Sequence, residues 1–555
     1  MKPNWQQRPW RRVSGAGLIA TLAFLSACNP GPKYSKPPAA APTAYKEAPP
    51  QFKEGIGWVV AQPGDDKIRP KWWEMYNDPQ LNALEEQVAI SNQTVIQAEA
   101  NFRAAQALVV EARSQLFPTI GGTSSITHQH FSSNSRSANV VSGSGGTGSA
   151  SSGGSLTTYS IAANVAYTLD LWHRVRNQIA ANAASAQASA ADVATALLTT
   201  QVELAQDYFE IRALDAQEGI LQDTLKNYRD ALNLTTILFK TGIDSDQDVT
   251  QAQTQLDTAL AQATDLGVAR SQFERAIATL TGKPAANFSL SVAPFVPNPP
   301  PVPVALPSEL LQRRPDIAAA ERQVAAENAL IGVARAAYYP TLSLSASGGL
   351  ASSTISKWFT WPSNLWSLGP TLTDTLLDFG ARRGAVEQSE AAYDAAVAGY
   401  RQTVLSDFQT VEDNLASLRI LAQEVEQYQT AVQASAHYLA LALTRYRTGV
   451  DSYLNVITAQ NTLLSNRETQ VQTQLRQMTA SVALIMALGG GWDASQLPQY
   501  EQFLKHPPKW SPPGALPNAP PATIAPPNPP AVPAIPLPAA TPPNAPVPSP
   551  SGAQH

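Results

Sequence analysis

The residues able to do chemistry in this sequence are few and scattered, and their spacing favours modification and contact over catalysis. Cys28 is the one thiol in 555 residues, so no disulfide can form within the chain and the pattern of a cysteine-based metal site is missing. His128 and His130 stand two apart and would share one face of a strand, where two imidazoles can begin a metal site. No third ligand accompanies them, so an ordinary pair beside a loop is the expectation. Arg313-Arg314-Pro315-Asp316 offers two guanidiniums and a carboxylate for binding. Proline and an acid at that point also describe a first helical turn, which is the simpler reading. No catalytic constellation appears, and no glycine-rich phosphate loop stands between a strand and a helix. The expectation is a protein that is not an enzyme and needs no cofactor or metal. A net charge of −5 and a pI near 5.8 give no electrostatic reason to expect nucleic acid as a partner.

What surrounds Cys28 gives its thiol a task. Lys2, Arg8, Arg11 and Arg12 form a positive segment, and Val13 to Ala27 is an uncharged run of apolar and small residues. That run is too short to span a bilayer but suits the core of an export signal. It closes on Leu25-Ser26-Ala27-Cys28, which resembles a bacterial lipobox. The resemblance implies cleavage before Cys28 and acylation of its sulfur, with Asn29 in the next position as in lipoproteins sent to the outer membrane. No later segment offers 18 consecutive apolar residues. A membrane crossing by the mature chain would therefore use β-strands.

The elements that must hold these residues occur twice. Ala112-Arg113 through Pro118-Thr119 returns as Ala334-Arg335 through Pro340-Thr341, 222 residues on. Asp170-Leu171 returns as Asp378-Phe379, 208 residues on, and Phe239 through Ser245 returns as Tyr446 through Ser452, 207 residues on. Gly282 and Gly489 close the copies at the same interval, so the chain is internally duplicated. Each copy reads as helix, strand hairpin, long helix, tight turn and helix. In the first, a helix over roughly 80 to 117 precedes a strand from Thr119 to His130, a Ser/Gly-rich loop from Ser132 to Ser155, and an alternating strand from Tyr159 to Leu169. In the second, Leu342, Leu344 and Ala346 alternate with serines. A loop with Trp358, Phe359 and Trp361 then leads to a returning strand near Leu365 to Phe379. Aromatics beside such strands fit a membrane-interface girdle.

The 45 prolines are distributed so that none falls between Pro118 and Pro284 or between Pro370 and Pro498. Within those stretches, about Trp172 to Lys240 and Ala381 to Arg447 predict helices on the order of 100 Å long, which need coiled-coil neighbours. Two hairpins supply four strands, whereas a bacterial membrane barrel needs about eight or more and tolerates no open edge in lipid. If the strands enter the membrane, several copies must close the barrel together.

A family resemblance sharpens this. Arg313-Arg314-Pro315-Asp316-Ile317, Ala320-Glu321, Ile331-Gly332-Val333-Ala334-Arg335 and Tyr339-Pro340 resemble signatures of NodT-type outer-membrane efflux lipoproteins of the TolC/OprM family. Arg445-Tyr446 through Gly449, Tyr453-Leu454-Asn455-Val456, Ala459-Gln460 and Gly31-Pro32-Lys33-Tyr34 add to it, and the likeness runs to about Tyr500. The resemblance implies a mainly α protein with a membrane β-barrel: a homotrimer with four strands per chain and a long periplasmic α-helical barrel, lipid-anchored in the outer membrane. It implies a passive exit duct served by a periplasmic adaptor and an inner-membrane pump, usually of the resistance-nodulation-division class. It places adaptor docking at Gly242, Ile243, Asp244 and Ser245 with Gly449, Val450, Asp451 and Ser452. It places the gate at Leu454, with Asn455 beside it, and Thr458 where the family carries an acid. Asp248, the counterpart of Asn455, is the candidate source of negative potential at that mouth.

On this reading residues 1–27 are the signal peptide, 28–70 an extended lipid-anchored segment, 71–285 and 308–490 the two repeats, and 286–307 a Pro-rich linker. Residues 491–506 form a C-terminal periplasmic segment. The tail from 507 to 555 lies outside the resemblance, and with 19 prolines in 49 residues it is expected to be disordered or polyproline II. A structural envelope lipoprotein and a polypeptide-secretion duct are the alternatives to a small-molecule duct. The substrate is not legible, because in such a system the pump selects it.

Overall fold

The computed structural model describes residues 29–39, 42, 45, 46, 70–130, 155–301 and 312–505. Cys28 and the expected signal peptide before it, nearly all of the Ser/Gly-rich loop and the Pro-rich tail lie outside the described residues.

Helix starts are set by side chains that take up free backbone N–H groups. Helix α1 (Pro79–Ser91) begins after Asp78, whose carboxylate accepts from the amides of Gln80 and Leu81. Helix α2 (Gln93–Ser114) begins after Asn92, whose side chain accepts from Thr94 and Val95. The one helix expected over roughly 80 to 117 is thus two, because Asn92 adopts an extended conformation and caps the second. Strands β1 (Thr119–His130) and β2 (Ser155–Leu169) follow, then helix α3 (Arg174–Lys240) and helix α4 (Asp246–Leu280). The second copy comprises α5 (Pro315–Ala336), β3 (Thr341–Ser352), β4 (Asn364–Thr373), α6 (Ala381–Arg447) and α7 (Tyr453–Ala487), and a short α8 (Tyr500–Lys505) ends it. The matched helices have equal lengths in both copies: 22 residues for α2 and α5, 67 for α3 and α6, and 35 for α4 and α7.

Both long helices start from the same device. Their N-cap residues, His173 and Gly380, are left-handed and make no side-chain cap. Instead Asp170 accepts from the amides of Val175 and Arg176, and Asp378 from those of Gly380 and Arg382. Arg382 also reaches Asp378 through Nε at 2.6 Å, and this carboxyl is held below its usual range chiefly by that bond.

The body is built around α3, which packs against α2, α4, α5 and α7 and buries many alanines, so neighbouring backbones approach closely. Helix α6 packs against α5 and α7 and buries fewer residues. A second duplicated contact ties the ends together. Asn92 Nδ2 donates to the carbonyl of Leu280 at 2.9 Å, and its counterpart Arg314 donates to that of Ala487 at 3.1 Å. The Arg313-Arg314 pair is therefore a helix start as expected, but Arg314 is also buried, in contact with Asp316 and with Asp407 on α6.

The four strands form one antiparallel sheet in the order β1-β2-β3-β4. Strand β4 ends at Thr373, short of the expected Phe379, because Thr341 opposite it is the first residue of β3. Strand β2 runs on to Leu169 because β3 still faces it there. Among the described residues no helix is long and apolar enough to cross a membrane.

Candidate functional site

The sheet has two unlike faces. Following the pairing register, one face carries Leu169, Leu342 and Leu372, then Tyr167, Leu344 and Pro370, then Ile120, Val165, Ala346 and Leu368, and then Trp366. These side chains are open to the outside: Ile120 and Trp366 are each 77% exposed. The opposite face carries Thr119, Thr123, Ser125 and Thr127, then Asn164, Ser160 and Thr158, then Ser343, Ser345 and Ser347, then Ser367, Thr371 and Thr373. Its hydroxyls pair across strands, Ser125 with Ser160 and Ser347 with Ser367, each at 2.8 Å. No Asp, Glu, Lys or Arg occurs in any of the four strands. A sheet apolar on one side and hydroxyl-lined on the other suits lipid outside and water inside. Trp358, Phe359 and Trp361 sit at the hairpin end, with Trp358 against Tyr159 at 5.6 Å. His128 and His130 lie on the apolar face, each with Nδ1 within hydrogen-bond distance of a β2 hydroxyl, Thr157 at 2.8 Å and Ser155 at 3.1 Å.

The two tight turns lie at the far ends of α3 and α6, each 67 residues and so about 100 Å from the sheet. Gly242 and Gly449 hold φ of 77° and 69°, a conformation that only glycine adopts without strain. Each turn closes with two bonds: Gly242 to the Phe239 carbonyl and Ile243 to that of Leu238, Gly449 to that of Tyr446 and Val450 to that of Arg445. Beyond this shared frame the copies differ. Ser245 and Asp248 form a reciprocal capping box on α4. In the second copy Asn455 stands where Asp248 does and turns instead to Asp451. Asp451 also takes Arg445 Nε at 3.2 Å, and its carboxyl sits below the usual range, first because of Asn455.

The turns are joined. The Tyr446 hydroxyl donates to Asp244, so the second copy's long helix grips the first copy's turn. Burial, and next this bond, hold the Tyr446 proton on. Tyr446 packs against Tyr453 with Val456, Ile457, Ala231 and Ala252 in one apolar cluster shared by α3, α4, α6 and α7. The signal for this was present in the sequence: Tyr446 is the one position of its turn motif where a hydroxyl replaces the hydrogen of Phe239. Ile243 and Val450 project from the turns, both about two-thirds exposed.

A model of outer membrane efflux proteins matches residues 84–283 and 306–490. The chain belongs to the outer membrane efflux protein family. It is 30% identical over 488 residues to the toluene efflux pump outer membrane protein TtgC of Pseudomonas putida, covering 86% of this chain and 95% of that protein. It is 31% identical over 487 residues to the solvent efflux pump outer membrane protein SrpC of the same species, covering 86% and 98%. The solved outer-membrane channel OprN superposes with a TM-score of 0.74 at 27% identity, covering 84% of this chain and all of that one. The chain is the outer-membrane component of an efflux system, and its four strands and long helices are those of a TolC-like channel.

Within that efflux fold the expected gate residues Leu454 and Thr458 share one face of α7, Asn455 stands beside them, and Asp248 lies on α4. Tyr453, Val456, Ile457, Ala459 and Gln460 are buried, whereas Leu454 and Thr458, one turn apart, point outward, with Leu454 57% exposed. The Thr458 hydroxyl donates back to the Leu454 carbonyl at 2.9 Å. Among the described residues none buries Leu454. Asp248 is spent on the capping box of α4.

The segment after Cys28 is a further site. Asn29 and Asn177, near the start of α3, exchange side-chain amide bonds at 3.1 and 3.4 Å. Pro32 accepts from Asn328, and Tyr34 donates to Glu321, so the strap descends α5 away from the sheet. Lys46 N then reaches Glu412 on α6.

Proposed function

We propose that three copies of this chain close a twelve-stranded barrel in the outer membrane above a long periplasmic tunnel. Together they serve as the passive exit duct for small molecules expelled by an inner-membrane transporter. The observation that carries this is the two-faced sheet continuous with two 67-residue helices. Four strands with both edges open can be stable in lipid only in a closed oligomer. A hydroxyl-lined, charge-free inner face opposes passage of neither ionic sign. A periplasmic adaptor docks at Gly242 to Ser245 and Gly449 to Ser452, and an inner-membrane pump, of the resistance-nodulation-division class by family resemblance, supplies the energy. Relatives named for toluene and solvent efflux make small apolar compounds the first substrates to assay.

Lipid anchoring of Cys28 is part of the proposal. Asn29 is fixed beside Asn177, one turn into α3 and next to the end of the sheet, and this supports an anchor at that level of the molecule. Purified protein in a planar bilayer should give discrete, long-lived conductance steps. An electrically silent protein that still assembles would return the reading to a structural envelope lipoprotein.

A further inference from the structure

Among the described residues strands β1 and β4 each pair on one side only, so the register of the seam between copies does not appear in the single chain. It is contained in the duplication. Thr119 faces Ala166 in the first hairpin, and Thr341 faces Thr373 in the second. The offsets are 222 for the first strand of a copy and 207 for the second, and the same offsets hold along both hairpins. The β2–β3 pairing joins the second strand of one copy to the first strand of the next. The seam between subunits, β4 against β1 of the partner, is the same junction repeated.

We infer that the seam follows the β2–β3 register carried over by these offsets. Thr373 of one subunit then faces Thr123 of the partner subunit, and Ser367 faces Gln129 of the partner subunit. These pairs correspond to Ala166 with Ser345 and to Ser160 with Ala351. On the other face, Leu376 meets Ile120 of the partner subunit, as Leu169 meets Leu342, and Trp366 meets His130 of the partner subunit, as Tyr159 meets Ser352.

Three independent features agree with this register. It keeps hydroxyls opposite hydroxyls and amides on the inner face, whereas a slip of one residue would turn Trp366, Leu368 and Leu372 inward. It pairs two of the most exposed apolar side chains at the strand ends, Leu376 at 91% and Ile120 at 77%. It also accounts for the short β4: Asp374 to Leu376 lie beyond the start of β3, and only the partner's β1 can continue them as strand, as β3 continues β2 to Leu169. Asp374 at that rim is neutralised by Arg382 at 3.9 Å. Slips of two residues keep the faces, and only the repeat excludes them.

The inference rests on the proposed closure of several copies into one barrel. Two double variants test it in intact outer membranes, Ser367→Cys with Gln129→Cys and Thr373→Cys with Thr123→Cys, each oxidised and run on non-reducing gels. Directly opposed residues are within disulfide reach, whereas diagonal neighbours about 7–8 Å apart are poorly placed for it. The expected result is efficient subunit-to-subunit crosslinking for both pairs and at least fivefold less for the slipped control, Ser367→Cys with Thr127→Cys. The parent chain, with Cys28 alone, sets the background. Equal or stronger linkage of the slipped pair in a protein that native mass spectrometry shows to be trimeric overturns the register and leaves the duct intact. A monomer by mass spectrometry overturns both.

Discussion

Gly31 and Gly332 meet backbone to backbone: a Cβ on Gly31 would stand 2.9 Å from the Gly332 Cα. The contact joins two separate sequence motifs, the one after Cys28 and the one closing α5, and seats the strap beside Asn177. Gly332→Ala would drive a methyl into the Asn177 amide and displace its bonds to Asn29. Losing those bonds should cost about 1–2 kcal/mol locally. Limited trypsin digestion after Lys33 should accelerate several-fold with assembly retained. An unchanged cleavage rate would show that the strap is held elsewhere.

Cys28→Ala should leave an unlipidated, uncleaved precursor. Acyl chains bring about 0.8 kcal/mol of membrane affinity per buried CH₂, which the variant would lack. Labelled fatty acid still incorporated by the variant would refute the assignment.

Bulky substitutions at Ser245 or Ser452, such as tryptophan, should preserve the trimer and abolish export, because both residues are exposed at the turns. Tyr446→Phe removes the bond to Asp244 while keeping the ring in its cluster. It should weaken export two- to tenfold with little loss of thermal stability. Normal export from all three variants, scored by drug susceptibility, would separate the tips from adaptor docking.

How much of this was legible in the sequence depended on periodicity. The duplication, the 67-residue helices and β1 could be read because proline-free runs, turn glycines and offsets are local signals. The break at Asn92 was missed because the cap interrupts a helical pattern for a single residue. The end of β4 was missed because it depends on where β3 begins, a long-range fact. Tyr446, Arg314 and Asp407 act through partners far along the chain, and no local spacing announces such pairs. Tyr446 alone left a trace, as the hydroxyl that distinguishes it from Phe239.

Asp407 gives the body a pH dependence. It is buried, and burial pushes its carboxyl up to about 7, although Arg314 at 2.8 Å acts in the opposite direction and Asp316 nearby adds to the rise. A carboxyl whose folded pKa exceeds its unfolded value of about 3.9 binds its proton more tightly when folded. Its stabilising contribution is complete below about pH 4 and is lost as the pH rises through about 7. The melting temperature of the wild type should therefore fall more between pH 5 and 8 than that of Asp407→Asn. Parallel curves for the two proteins would remove Asp407 from this role.

The closing element at the mouth is predicted to be Leu454. It is the exposed apolar residue of the α7 face that begins just after the second turn, and none of the described residues covers it. Three such side chains meeting near a threefold axis would exclude water from a narrow passage, a barrier that needs no charge. A carboxylate ring would instead attract cations, but Thr458 carries no charge and Asn455 is committed to Asp451. Asp248 is similarly held by Ser245, so its charge is fixed at a helix N-terminus, where the helix dipole favours it. Cation block should accordingly be weak. Leu454→Ala should raise single-channel conductance severalfold and increase leakage of large drugs into cells, while Thr458→Ala, which keeps the methyl-sized volume, should change little. Unaltered conductance from correctly assembled Leu454→Ala trimers would place the constriction at another level of the tunnel.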